Sequence, residues 1–261
     1  MPPLTALARV AAVVAAIAVT GCTAGPSDPR PTPDSSAAGS ASASETTGTS
    51  DQPWDQARDD AEITIEETGF SNLEDDSGMQ VTYAILLSNP SRDVAVGTSL
   101  EVSLLDAQGK VIKDKVADRK KTVLSANLVM PGEEQAISNR TYVDRRVDRV
   151  KITIADSHWA EDDGRFSELT VSKVRPVRDD DDLTVSFTVH SRYDETISPA
   201  EAYAILRDGD GKLLGGSAYI NAEQHEYSPG RTATEIELDR TQPENVKDIE
   251  VYADPYVGEL I

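Results

Sequence analysis

Cysteine, histidine and aromatic residues are scarce in this chain, and each shortage excludes a class of site. Cys22 is the only cysteine among 261 residues, so the chain forms no intramolecular disulfide and no cysteine-rich metal centre. The three histidines lack the spacing of metal ligands and no catalytic motif is present, so the sequence predicts no enzyme. Aromatic residues make up only 5% of the chain against 38% hydrophobic residues, which predicts modest aliphatic cores.

Positive charge is also in short supply. The chain has 25 lysines and arginines against 46 aspartates and glutamates, which gives a net charge of -21 at pH 7. A field of this sign repels nucleic acid and anionic lipid headgroups, so no nucleic-acid partner is expected. Cations and basic protein surfaces remain compatible partners.

The N-terminal segment has the pattern of an export signal. An apolar run from Val10 to Val19 is too short to span a bilayer and is typical of a cleaved signal. It ends in Val19-Thr20-Gly21-Cys22, which resembles the lipobox of bacterial lipoproteins. The resemblance implies that residues 1–21 are a lipoprotein signal peptide and that Cys22 carries a covalent diacylglycerol and an acyl lipid. The mature protein would then be extracytoplasmic and lipid-anchored to the bacterial cell membrane. The alternative is an ordinary secretory signal followed by an unrelated cysteine.

Residues 22–53 are rich in serine, alanine, threonine and proline and show no apolar periodicity. Such a segment cannot bury enough surface to order itself, so it is predicted to be a disordered linker. About thirty flexible residues have a root-mean-square reach of about 30 Å. We therefore expect a tether that holds the folded part away from the membrane.

The rest of the chain contains an internal repeat. Residues 81–112 align with residues 183–214 at a constant offset of 102 residues. Within each copy apolar residues alternate with polar ones, which indicates strands with one buried and one wet face. The repeat predicts an all-β protein with two tandem Ig-like antiparallel β-sandwich domains, at residues 54–160 and 161–261. The clearest aligned positions are Val81, Tyr83, Ile85 and Leu87 in the first copy and Leu183, Val185, Phe187 and Val189 in the second.

The order of motifs in residues 81–137 resembles the FxLYD-type domain, a small Ig-like module of bacterial envelope proteins. The matching segments are Leu87-Ser88-Asn89, Val102 to Asp106, Gly109-Lys110 and Pro131-Gly132-Glu133. Of the motif that names the family, only the leucine and the aspartate are present, at Leu104, Asp106, Leu206 and Asp208. The resemblance implies an Ig-like fold and no particular chemistry.

One repeated stretch has the look of a metal loop. Asp106 to Lys110 and Asp208 to Lys212 occupy the same position in the two copies, and the second has an extra acid at Asp210. A calcium loop requires oxygen ligands where this chain has Lys212 and Tyr219. An aspartate that bonds its own backbone, followed by a glycine, is typical of a tight turn. We therefore predict a hairpin turn in both copies.

Two acidic clusters nevertheless suggest a calcium site between the domains. If each domain has seven antiparallel strands, the loop after the first strand lies at the pole where the last strand ends. The clusters would then meet, and clustered carboxylates suit a hard cation. The alternative is that they are the solvated surface of an acidic protein. The candidate Ca²⁺ ligands are Glu74, Asp75, Asp76, Glu161, Asp162 and Asp163.

Two functions follow from these features. The first is a non-catalytic, membrane-tethered surface lipoprotein whose tandem domains bind an unknown envelope protein through edge strands or loops. The second is a structural spacer with a Ca²⁺-stiffened joint. An exposed apolar patch would separate them, because a binding site needs one and a spacer does not.

Overall fold

Alternating apolar residues form strands throughout both repeats. The computed structural model describes residues 62–75, 78–179, 182–219, 226–238 and 242–257. These residues contain strands and no helix, so none of them could cross a membrane as a helix. The predicted all-β class is confirmed. The strands are β1 (Thr64–Asp75), β2 (Gly78–Ser88), β3 (Val94–Leu105), β4 (Val111–Ile112), β5 (Thr122–Val129), β6 (Glu134–Tyr142), β7 (Arg149–Ala160), β8 (Thr170–Asp179), β9 (Asp182–Ser191), β10 (Ala200–Arg207), β11 (Leu213–Tyr219), β12 (Gly230–Leu238) and β13 (Asp248–Pro255).

The first repeat forms two antiparallel sheets that enclose an aliphatic core. One sheet has the order β1-β2-β6. The other is built on β3, which pairs with β7 along one edge and with β4 and β5 along the other. Val81, Tyr83, Ile85 and Leu87 of β2 point into the core between the sheets. This is the Ig-like sandwich expected from the alternation.

The second repeat forms the corresponding pair of sheets. Their orders are β12-β9-β8 and β11-β10-β13. The aligned residues of β9, from Leu183 to Val189, fill this second core together with Ala202, Ala204 and Leu206 of β10. Because the same alternation recurs at the aligned positions, each repeat builds its own sandwich.

The two sandwiches pack against each other sheet on sheet. The β11-β10-β13 sheet lies on the β1-β2-β6 sheet, so the described residues form four stacked layers within one compact unit. Every residue of β2 from Gln80 to Leu87 is buried. The prediction that such strands have one wet face is therefore wrong for β2, because its second face is covered by the other repeat.

Within the described residues, each sandwich has six strand positions rather than seven. After the β3–β4 turn, residues 113–121 leave the sheet, and β5 then returns along the same edge of β3 that β4 occupies. β4 and β5 thus share one strand position in the sheet. The chain therefore reverses direction one time fewer than in a seven-stranded sandwich. As a result the last strand, β7, begins at the pole of the β1–β2 turn and ends at the opposite pole.

Candidate functional site

Among the described residues, Glu74 of the first acidic cluster lies far from the second cluster. Glu74 lies beside the β1–β2 turn, whereas Glu161, Asp162 and Asp163 follow the far end of β7. Twelve residues of β7 separate the poles, which is about 35 Å at the rise of an extended strand. The predicted meeting of the clusters is wrong because β4 and β5 share one strand position.

The individual carboxylates are placed as follows. Glu161 and Asp162 are exposed. Asp163 pairs with Arg165 at 2.8 Å, and this hydrogen-bonded guanidinium lowers the pKa of Asp163. The Asp75 side chain and Asp76 lie outside the described residues, as does the predicted lipidation site, Cys22. Among the described residues, no three acidic, histidine or cysteine side chains cluster as metal ligands.

The repeated aspartate–glycine stretch is a turn used twice. In the first copy the Asp106 carboxylate accepts backbone hydrogen bonds from Gln108 at 3.1 Å and Lys110 at 2.9 Å. In the second, Asp208 accepts from Asp210 and Lys212, both at 3.0 Å. Gly109 and Gly211 have φ of 75° and 82°, which glycine adopts without strain. The predicted hairpin turn is confirmed in both copies.

The joint between the sandwiches has an apolar centre. Ala84 and Leu86 of β2, with Ala136 of β6, pack against Ile205 and Leu213 of the second repeat. All five are buried, and Tyr252 covers them from the side. The centre of the joint therefore excludes water in the same way as the cores on either side of it.

Glycines allow the backbones of the two repeats to approach closely at this joint. A Cβ at Gly69 would overlap the carbonyl group of Leu213 and lie 2.7 Å from its Cγ. A Cβ at Gly216 would lie 2.5 Å from the Cβ of Ser138. Leu213 and Ser138 each lie across the joint, so glycine at these two positions permits the observed separation of the sheets. At Gly216 the carbonyl oxygen of Ala204, in the same repeat, leaves equally little room at 2.5 Å.

Polar groups also cross the joint, some of them buried and some half-exposed. Thr82 Oγ1 accepts a hydrogen bond from the Gly216 amide at 3.0 Å and donates to the Gly216 carbonyl. Glu67 of β1 pairs with Arg207 at 2.6 Å and accepts from the Leu213 amide at 3.1 Å. Since Arg207 is also held by Glu250 at 2.9 Å, these groups fix the register of one sheet on the other.

A buried carboxylate joins the repeats at the other side of the joint. Asp254 of β13 is fully buried and accepts hydrogen bonds from the backbone amides of Asn127 and Leu128 in β5, at 2.8 and 3.1 Å. The Asn127 side-chain amide donates a third bond at 3.2 Å. Burial, opposed in part by these bonds, raises the pKa of Asp254 to about 8. The carboxyl group thus satisfies buried amides of one repeat from a strand of the other.

An open groove lies at the seam of the first sandwich, where an edge strand of each sheet faces the other. Its volume is about 330 Å³, and its walls are β1 and the start of β7. Half-buried Ile65, Val150 and Ile152 form the apolar floor, and Arg149 and Lys151 line the rim. We call this the β1–β7 groove.

The second sandwich has a groove at the corresponding seam, between β8 and β13, which we call the β8–β13 groove. Its volume is also about 330 Å³. Val174 and Ile249 contribute apolar surface, while Arg178, Lys247 and Asp248 bring charge. The groove is therefore a feature of the repeat, and in both copies the cations outnumber the acids.

Sequence reasoning missed the joint, although signals for it are present. The run from Ala84 to Leu87 is apolar at four successive positions, which is typical of a strand buried on both faces. Paired glycines inside a strand, Gly215 and Gly216, mark a close backbone approach. No comparable signal identifies Asp254, because one acid in so acidic a chain does not stand out.

Comparison with known proteins adds little. No family model matches the chain, and no curated protein matches it. Among solved structures, that of red sea bream transglutaminase is similar at 12% sequence identity and a TM-score of 0.20. The match covers 75% of this chain and 30% of the transglutaminase chain, so it spans less than a third of that protein. A similarity at this level carries no argument about function.

Proposed function

We propose that the protein is a non-catalytic binding protein of the bacterial cell envelope, tethered by lipid on Cys22, whose packed sandwiches bind another protein. The observation that carries the proposal is the sheet-on-sheet joint. It makes one body of the two repeats and leaves strand edges and grooves at the seams for contact. An edge strand beside an apolar groove is a common way of holding a partner chain.

The joint argues against the spacer. A spacer gains reach when its modules follow one another end to end, whereas stacked sheets add only about 10 Å for each layer. Here the second repeat folds back over a sheet of the first and covers its apolar surface. The two repeats together are therefore shorter than they would be if they followed one another end to end. The distance of Glu74 from Glu161, Asp162 and Asp163 also gives no support to the calcium-stiffened joint of the spacer.

Photo-crosslinking on living cells tests the proposal. A benzophenone amino acid would replace one exposed side chain at a time: Val116, Val123, Val177 or Tyr256, with Thr153 on β7 as a fifth position. We expect a discrete crosslinked protein from one face of the molecule and none from the others. The Cys22→Ser variant, which cannot be lipidated, is expected to lose that product from washed cells. The absence of a discrete product at every position would contradict the binding function.

A further inference from the structure

The β1–β7 groove has the features of a site for an extended peptide. We propose that it binds an acidic, strand-forming segment of the partner by adding that segment to the free edge of β7. This proposal rests on the binding function proposed above and names the chemistry of the partner. Three observations support it: an unpaired strand edge, an apolar floor and two cations at the rim.

The unpaired edge belongs to the regular part of β7. From Arg149 to Ile154, β7 pairs with β3 in an unbroken register, and a bulge follows before Asp156. Within the described part of the chain, no strand pairs with the other edge of β7. Six residues of backbone can therefore accept an added strand, whose hydrogen bonds supply affinity without regard to side chains.

The apolar floor sets the pattern of the peptide. Exposed and half-buried residues alternate along β7. Val150, Ile152 and Ile154 pack against the first core, and the first two also line the groove. An added strand has the same two-residue period. Its alternate side chains would cover Val150, Ile152 and Ile65, and those between them would lie beside Arg149 and Lys151. The groove thus requires apolar residues at every second position.

The cations Arg149 and Lys151 determine which side chains the peptide needs at the positions between its apolar residues. Neither Arg149 nor Lys151 forms an ion pair with any described residue. Acidic side chains on the peptide would supply their partners, and such complementary charges favour the correct ligand over others. A second copy of this chain is disfavoured as the occupant, because two whole molecules of charge -21 repel each other over their full surfaces, whereas a short acidic segment meets the two cations of the groove at contact distance.

The β8–β13 groove is closed to this mode of binding. Leu169 bridges the edge of β13 at Ala253, beyond the groove-lining residues Asp248 and Ile249, and the Asp248 carboxylate would repel an acidic segment at the groove itself. The facing edge strand, β8, contains Pro176 and a bulge between Ser172 and Arg175, which are devices that block strand addition. This groove has the same volume and two cations, so it provides a matched control for the charge of the first.

The joint holds one wall of the peptide groove. Thr68 of β1 lines the groove, and its two neighbours, Glu67 and Gly69, contact Leu213 across the joint. The position of β1 therefore depends on the second repeat. This connection explains how packing the repeats together would serve binding.

The test uses the full chain purified from membranes in mild detergent. The probe is a capped, fluorescent heptapeptide of sequence Glu-Val-Glu-Ile-Glu-Val-Glu, titrated by fluorescence anisotropy. We expect saturable binding, and slower hydrogen exchange of the backbone from Arg149 to Ile154 when the peptide is present. The double variant R149E/K151E should weaken binding at least about tenfold, because two attractions become repulsions. The control R178E/K247E should stay within about threefold of the parent, since it changes the same charge at the blocked groove.

A second peptide separates strand addition from simple charge attraction. It has the same side chains but N-methyl groups on alternate residues, which remove the amide donors. If it binds as well as the first, or if linear polyphosphate competes equally, the groove is an anion surface and the proposal is overturned. Lack of heptapeptide binding would also overturn it. In that case, a cellular crosslink from positions other than Thr153 would leave the binding function standing.

Discussion

Replacing Gly69 with alanine is expected to lower the free energy of unfolding by about 3 kcal/mol, at the upper end of the usual range for overpacking. The added Cβ would meet the backbone of Leu213, which cannot rotate away as a flexible side chain would. The sheets must separate or the strands must bend. For about 200 folded residues this corresponds to a fall in Tm of roughly 6–12 °C, measurable by circular dichroism.

Gly209 provides the matched control for this substitution. Its Cβ would approach only the Lys247 side chain, at an ordinary contact distance of 3.6 Å, and its φ is not in the left-handed region. Gly209→Ala should therefore leave stability within about 1 kcal/mol of the parent. Equal melting temperatures for both variants would mean that the repeats do not pack together as described. Gly69→Ala should also weaken binding of the heptapeptide, because β1 is a wall of the groove.

The second large effect is a dependence of stability on pH that arises from Asp254. Its pKa is about 8 in the folded protein and about 3.9 in an unfolded chain. The folded state therefore holds a proton that the unfolded state has released. The resulting stabilisation is complete below about pH 4 and is lost as pH rises to about 8, at about 1.4 kcal/mol for each pH unit.

The variant Asp254→Asn isolates this contribution, because an amide does not titrate. Urea unfolding at several pH values would give the difference in stability between parent and variant. We expect that difference to shrink by several kcal/mol between pH 5 and pH 8 and to level off above pH 9. The remaining difference reflects an amide group beside the N–H donors of Asn127 and Leu128. A difference that does not vary with pH would show that Asp254 titrates normally.

Local patterns in the sequence were enough to predict the sandwich itself. The two-residue alternation from Val81 to Leu87 identifies a strand, and its recurrence from Leu183 to Val189 identifies the repeat. Asp106 and Asp208 each indicate a turn, because the carboxylate accepts a hydrogen bond from a backbone amide two residues further along the chain. Each of these features depends on residues a few positions apart, which a sequence displays directly.

The joint depends on residues far apart in the chain, and so its geometry could not be predicted. Gly69 is required because of Leu213, and Asp254 because of Asn127 and Leu128. The mistaken meeting of the acidic clusters has a related cause. The sequence between β4 and β5 does not reveal that both strands lie on one edge of β3. If β4 and β5 are counted as two separate strand positions, the direction of every later strand is reversed.

The most direct test of the account measures the distance between the two repeats in solution. Spin labels would be placed on Cys22→Ser chains at Val123→Cys of β5 and Val177→Cys of β8, where the parent side chains are 61% and 53% exposed. Double electron–electron resonance then reports the distribution of distances between the outer sheets. A joint of buried side chains and close glycines predicts one narrow peak, and Gly69→Ala should broaden it. A broad or multiple distribution in the parent would contradict the central claim that the two repeats form a single body.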